Sequence, residues 1–289
     1  MKIIKYLLRI FGTQTYIQFG IRNRVVRFFY PPEKCIDYPF NVNFFGLRYH
    51  GNLNSYIDWS VFFFGSYEKE TLDLLLYLST KVKNKNLLDV GANVGHHSIF
   101  ASKHYCNVIS FEPFPVFYQQ ILNQIELNGI KNIRAFNTAL SDKNDKLLYY
   151  APKQDQENKG TGSFVKDYNS GLVASSYLNL VHGDDFLLSN AITDLGVIKI
   201  DVEGFESQVL MGLNKTIEVN RPIVIFEFSQ NIASLCFDQE YLNSLFNNTY
   251  DFYHFLPSKK QFKLLYNFQV TGIDLVAIPK EIQSIFSVV

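Results

Sequence analysis

From residue 87 onward the chain alternates short apolar runs with stretches of helical periodicity, and few folds accommodate that rhythm. The runs LLDVG, NVISFE, NIRAFNTAL, GVIKIDV and PIVIFEF are rich in β-branched residues, and several lack the polar alternation of a half-exposed strand. They read as parallel strands buried on both faces. Between them SIFASKHY and VFYQQILNQIELNG carry apolar residues at helical spacing, with Gly129 placed to cap the second. The expectation is an α/β sheet with right-handed crossovers and helices on both faces.

Ligands of such sheets bind outside the carboxyl ends of the strands, so the turn after the first run is the place to look. That turn is GANVG, where Gly91 and Gly95 permit a tight bend and close approach of a ligand. Asn93 stands where a dinucleotide fingerprint has its second glycine, and no Lys followed by Ser or Thr supplies a phosphate loop. Asp89 adds a carboxylate two residues before Gly91, which would repel a pyrophosphate but suit an ammonium or sulfonium group. Glu112 ends the next run and can accept both hydroxyls of a ribose. Together these favour S-adenosylmethionine over NAD.

The stretch VIKIDVEGFESQVLMG, residues 197 to 212, places three charges in a strand context. Alternation puts Lys199, Asp201 and Glu203 on one side, with Ile198, Ile200 and Val202 on the other. A structural ion pair of Lys199 with Asp201, or with Glu227 of PIVIFEF, is one explanation. The sharper one is that Asp201 and Glu203 point to where a methyl group is transferred and that one of them removes a hydroxyl proton. His182, just before Asp184 and Asp185, is the third candidate base. Asp201, Glu203 and Glu227 could instead hold Mg²⁺, but Lys199 would compete for them, and no residue is assigned to a metal. His96 and His97 read as exposed bystanders in the first turn of a helix, and His104 and His254 have no visible partner. Tyr56, Trp59 and Tyr168 are aromatic platforms for a sugar or ordinary core residues.

Upstream the pattern changes. GSYEKETLDLLLYLSTKV turns helical, with Ser66 as the expected cap, while residues 43 to 65 suggest short strands or loops. Before Glu33 lie six basic residues and no acidic one, but Lys5 and Arg9 interrupt the only apolar run that could serve as a signal. That segment is expected either to contact anionic lipid peripherally or to pack as a helix with a solvated basic face. Elsewhere charge is balanced, with 27 basic and 27 acidic residues, which argues against nucleic acid as a partner. Cys35, Cys106 and Cys236 show no paired spacing, which fits a reducing, cytoplasmic setting, at the inner face of the membrane if the basic segment docks there.

DVGANVG, SFEP, NTALSD, KIDVEGFE with VLMG, and FGSYEKETLDLL upstream resemble, in this order, the FkbM family of S-adenosylmethionine-dependent methyltransferases. DVGANVG alone marks a broader class; with KIDVEGFE the match is specific. The resemblance implies a Rossmann-like class I methyltransferase sheet over residues 50–289, preceded by a basic extension over 1–49. It also implies O-methylation of a sugar hydroxyl on a polysaccharide, glycolipid or other glycoconjugate. Carried over, Asp89, Gly91, Asn93 and Gly95 shape the methionine side of the cofactor pocket and Glu112 the ribose side. Asn137, Ala139 and Asp142, within the loop from 137 to 142, would line the adenine. An NAD-linked sugar oxidoreductase and a non-catalytic glycan or lipid binder on the same fold are the alternatives.

Overall fold

The computed structural model describes residues 2–34, 37–152, 162–165, 172–228, 239–266 and 273–289. Two helices, α1 (Lys2–Gly12) and α2 (Phe19–Phe29), precede a hairpin of β1 (Pro39–Phe44) and β2 (Leu47–Asn52). Its two-residue turn uses Phe45 and Gly46, both at positive φ, as the right-handed twist of the flanking strands requires. Next come α3 (Tyr56–Phe64), α4 (Lys69–Lys81), β3 (Asn86–Val90), α5 (His96–Ala101), β4 (Asn107–Phe111), α6 (Pro115–Asn128), β5 (Ile133–Phe136) and β6 (Ala139–Ser141). Then follow β7 (Asp145–Pro152), β8 (Leu172–His182), α7 (Gly183–Ser189), β9 (Leu195–Ile200), α8 (Glu206–Gly212) and α9 (Asn214–Asn220). The chain finishes with β10 (Ile223–Phe228), α10 (Gln239–Leu245), β11 (Tyr250–Leu256), β12 (Gln261–Leu264) and β13 (Ile273–Pro279).

Eight strands form one sheet in the order β12-β11-β13-β10-β9-β3-β4-β5. Pairing from β10 through β9, β3 and β4 to β5 is parallel, whereas β13 joins β10 and β11 antiparallel. The unalternating apolar runs are explained by two cores, one on each face. Leu87, Val108, Val197, Ile225 and Val276 pack into a cluster with α3, α4 and α5. Their chain neighbours Leu88, Ile109, Ile198, Val224 and Leu275 pack into another with α7, α8, α9 and α10. Each such side chain contributes about 1.5–3 kcal/mol through burial, which fixes the register of the strands. The edge strand β12 is sealed by the C-terminal residues, where Phe262 donates its N–H to Ser287 and accepts from Val289, both at 2.8 Å.

Several expectations are corrected. NIRAFNTAL is two strands, β5 in the main sheet and β6 in a small sheet with β8 and β7. Residues 56–64 are a helix, capped by Ser55, whose hydroxyl accepts the N–H of Asp58. Helix α4 starts later than Ser66 suggested, with Glu68 at its N-cap in the left-handed region and no side-chain cap. A division at residue 50 would cut β2, and Leu8, Val26, Phe44 and Tyr49 share one core with the central strands.

The N-terminal helices reverse the expected polarity. Lys5 is buried with its ammonium over the Tyr38 ring, 3.4 Å from the centroid, and Arg9 donates to the carbonyls of Val61 and Phe62. Arg22 is also buried, donating to Gly12 and Ile17. The exposed side of α1 is apolar instead: Ile3, Leu7 and Ile10 are 76%, 59% and 60% accessible. Among the described residues no helix is long and apolar enough to cross a membrane.

Candidate active site

The carboxyl ends of β3, β4, β9 and β10 open into one cavity of about 610 Å³, closed from the side by the start of α4. The two sequence motifs meet at its floor. Gly91 has φ +82°, and a Cβ there would lie 1.9 Å from the carbonyl oxygen of Asp201. Asp201 in turn donates its N–H to Val90 at 3.0 Å, extending the β3–β9 pairing by one residue. Gly95, at φ +84°, lets the start of α5 approach α6, where a Cβ would meet Ile121 at 2.9 Å.

Glu112 is the next wall. Its carboxylate accepts the N–H of Asn93 and the N–H of Phe114, each at 2.8 Å, so one side chain locks the GANVG turn to the end of β4. Asn93 itself takes φ +52°, a region asparagine tolerates better than most residues. Burial pushes the Glu112 carboxyl up to about 7, against the pull of those two donors.

Behind the cavity runs a charged ladder. The Lys199 ammonium lies 3.0 Å from Asp201 Oδ2 and 3.8 Å from Asp89 Oδ1. Burial works against its charge, but Asp201, Asp89 and Glu68 hold it protonated, above the usual lysine range. Asp89 is fully buried and accepts the Ser98 hydroxyl at 2.5 Å. It does not line the cavity; its burial, only partly offset by Lys199 and Ser98, raises its pKa. Lys199 therefore pairs with Asp201, one of the two expected partners, and with Asp89 rather than Glu227.

Asp201 and Glu203 both line the cavity, but not by strand alternation. Strand β9 ends at Ile200, and Glu203 and Gly204 take φ +55° and +93°. The turn is held from outside: Glu206 accepts the N–H groups of Val202 and Gly204 at 3.1 and 3.2 Å, and Ser163 donates to the Glu203 carbonyl at 2.6 Å. An acid opening a helix directly after a glycine turn was a legible signal for Glu206.

Ala139 lies on the wall, whereas Asn137 and Asp142 do not. Asn137 donates to the carbonyls of Glu112 and Pro113 at 2.9 and 3.0 Å, bracing the end of β4, and Asp142 accepts the Ser141 hydroxyl. His182 is not brought to this edge: it caps α7, accepting the Asp185 N–H at 3.4 Å. Trp59 is core, donating to the Tyr30 carbonyl, while Tyr56, stacked on it, reaches the wall. Tyr168, Cys35 and Cys236 fall outside the described residues.

His96 and His97 are a correction, because both are buried, 2% and 3% accessible, and both line the cavity. Glu68, Glu227 and Asp274 join them on the wall. Burial, reinforced by Asp201, pushes Glu68 and Glu227 up to about 7 and raises Asp274. Glu227 and Asp274 are register partners across β10 and β13, a pairing invisible without the sheet order.

A methyltransferase FkbM domain matches residues 89–254, more than half of the 289-residue chain. Methyltransferase sdnD of Sordaria araneosa is 25% identical over 159 residues, covering 46% of this chain and 61% of that protein. Hexuronic acid methyltransferase AglP of Haloferax volcanii is 27% identical over 158 residues, covering 54% and 61%. The matches thus span 61% of the length of these two relatives. Among solved structures, a methyltransferase FkbM from Methylobacillus flagellatus KT matches at 17% identity and a TM-score of 0.42, over 67% of this chain and 43% of that one.

Proposed function

The chain belongs to the FkbM methyltransferase family, and we propose that it is an S-adenosylmethionine-dependent O-methyltransferase acting on a sugar hydroxyl of a glycan or glycolipid. One observation carries the choice of donor. Among the described residues, seven carboxylic side chains, those of Glu68, Glu70, Glu112, Asp201, Glu203, Glu227 and Asp274, line the cavity against one amine, Lys199. Such a wall attracts a cationic sulfonium and repels a pyrophosphate. Bound S-adenosylmethionine would supply the methyl group, with Glu112 the residue placed to take its ribose hydroxyls. Binding of the donor and its demethylated product, measured by calorimetry beside NADH, tests the reading; binding of NADH alone overturns it.

The same wall favours a neutral sugar as acceptor. The named substrate of one relative is a hexuronic acid, but a carboxylate would here face other carboxylates. A sugar hydroxyl is a poor nucleophile, and its proton must leave as the new bond to carbon forms. We assign that proton to Glu227, a half-buried carboxyl held near 7 by burial and by Asp201 and Asp274. Asp201, oriented by Lys199, lies beside it on the adjacent strand end and holds the acceptor. Glycan profiling of cells with and without the protein would identify the acceptor.

A second reading concerns location. The apolar outer side of α1, with Phe28 and Phe29 exposed on α2, supports peripheral attachment to a membrane surface on the cytoplasmic side. Attachment of this kind would bring the cavity to a lipid-linked sugar.

A further inference from the structure

We propose that Glu68, His96 and His97 form a binding site for a divalent transition-metal cation on the wall of this cavity. His96 and His97 open α5 directly after the GANVG turn, and Glu68 precedes α4. Their ligand atoms lie within 4.8 Å of one another, and His97 Nε2 is 3.6 Å from a Glu68 oxygen. An ion bound at about 2.1 Å to nitrogen and oxygen in tetrahedral geometry separates its ligands by about 3.4 Å. The His97 to Glu68 spacing is therefore close to that of two ligands on one ion.

What calls for a ligand is the state of the imidazoles. Among the described residues, neither nitrogen of His96, nor Nε2 of His97, has a hydrogen-bond partner, although both histidines are almost fully buried. Buried polar atoms without partners are costly and uncommon. The ring contacts do not satisfy these nitrogens, since the two imidazoles only pack on each other, tilted by 40° with centroids 3.8 Å apart, and Tyr67 meets His96 edge-on. A neutral imidazole keeps a lone pair that it can donate to a cation. Glu68 adopts φ +44°, an unusual conformation for glutamate.

Two imidazoles and a carboxylate select Zn²⁺, or a similar transition ion, over Mg²⁺ and Ca²⁺, which prefer oxygen ligands. Lys199, on the same cavity wall, opposes a cation here, but its charge is offset by Asp201, which it pairs with, and the third ligand, Glu68, is itself an acid. Three protein ligands leave a position open toward the cavity for an acceptor oxygen. That last role rests on the methyl-transfer reading; the binding itself does not.

The test uses untagged full-length protein, stripped of metal and loaded with one equivalent of Zn²⁺. The zinc-edge absorption spectrum of the wild type is expected to contain imidazole scattering. Zn²⁺ affinity should fall about tenfold or more in His97→Ala and in Glu68→Gln, since loss of a ligand costs at least what loss of an outer partner does. A wild-type spectrum without imidazole scattering, or equal affinity in wild type and variants, overturns the site whether or not either variant folds well. S-adenosylhomocysteine binding measured on the same metal-free samples separates the two ideas. Its failure beside intact zinc binding would count against the methyl-transfer reading alone.

Discussion

The carbonyl oxygen of Asp201 occupies the space a side chain on Gly91 would need, so the first and fourth parallel turns of the site touch backbone to backbone. Gly91→Ala must both enter a left-handed conformation, at about 1–2 kcal/mol, and push Asp201 away. We expect a loss of stability above that figure in denaturant titration, together with loss of cofactor binding. An unchanged midpoint would mean that the two turns separate freely.

Glu112 anchors two backbone N–H groups as well as facing the cavity. In Glu112→Ala both donors lose their partner, at about 1–3 kcal/mol each if water does not replace it. Thermal melting should fall and S-adenosylmethionine affinity should weaken. Glu112→Gln, which keeps one acceptor oxygen, should recover much of the stability but less of the affinity. Equal affinity in all three proteins would remove Glu112 from the ribose site.

Stability should depend on pH in a direction set by the acids in and around the cavity. Burial raises Glu68, Glu112, Glu206 and Glu227 from 4.5 to about 7, so between these values the folded chain holds protons that the unfolded chain has lost. Their contribution is complete below 4.5 and disappears as pH rises through about 7. His96 and His97, neutral when folded, act oppositely, but only below their unfolded value of 6.5. Melting temperature of the ligand-free protein is therefore expected to drop from pH 6.5 to 8, and a rise over that interval would refute the assignment.

For the chemistry, Glu227→Gln keeps the shape of the side chain but cannot accept the proton. Turnover should fall about a hundredfold or more, with donor affinity little changed. Asp201→Asn should raise KM for the acceptor more than it lowers kcat, and it should cost stability because Lys199 loses its nearer carboxylate partner. Should Asp201→Asn lose turnover while Glu227→Gln retains it, Asp201 is the base.

Vesicle flotation tests the outer side of α1. Leu7→Glu should abolish binding to anionic vesicles while leaving cofactor affinity intact. Because Lys5, Arg9 and Arg22 face the protein, added salt should weaken the wild-type binding only modestly. Strong salt dependence, or full binding by the variant, would reject apolar insertion.

The parallel strands were readable because burial on both faces leaves an unalternating signature, and the GANVG and KIDVEG turns because glycine and acids at strand ends have few other uses. Long-range placement was not readable. The charge of α1 gave the wrong side, since a cation over a tyrosine ring and a guanidinium on helix-end carbonyls leave no trace in periodicity. His96 and His97 were misplaced because a polar pair beside a glycine turn looks solvated until Tyr67 and Glu68 arrive from the residues just before α4. Glu203 reaches the expected cavity by another route, because alternation stops at Ile200 and φ turns positive at Glu203 and Gly204.

The seal on β12 gives the last three residues a job out of proportion to their size. The backbone of Ser287 and Val289 satisfies Phe262, and Val289 also accepts from Leu264, so the far edge of the sheet is already paired. A chain trimmed after Phe286 would present a row of open donors and acceptors, and a second molecule could dock there strand against strand. Slow clouding of such a trimmed protein on storage, with its cavity and cofactor affinity intact, is the form that loss would take.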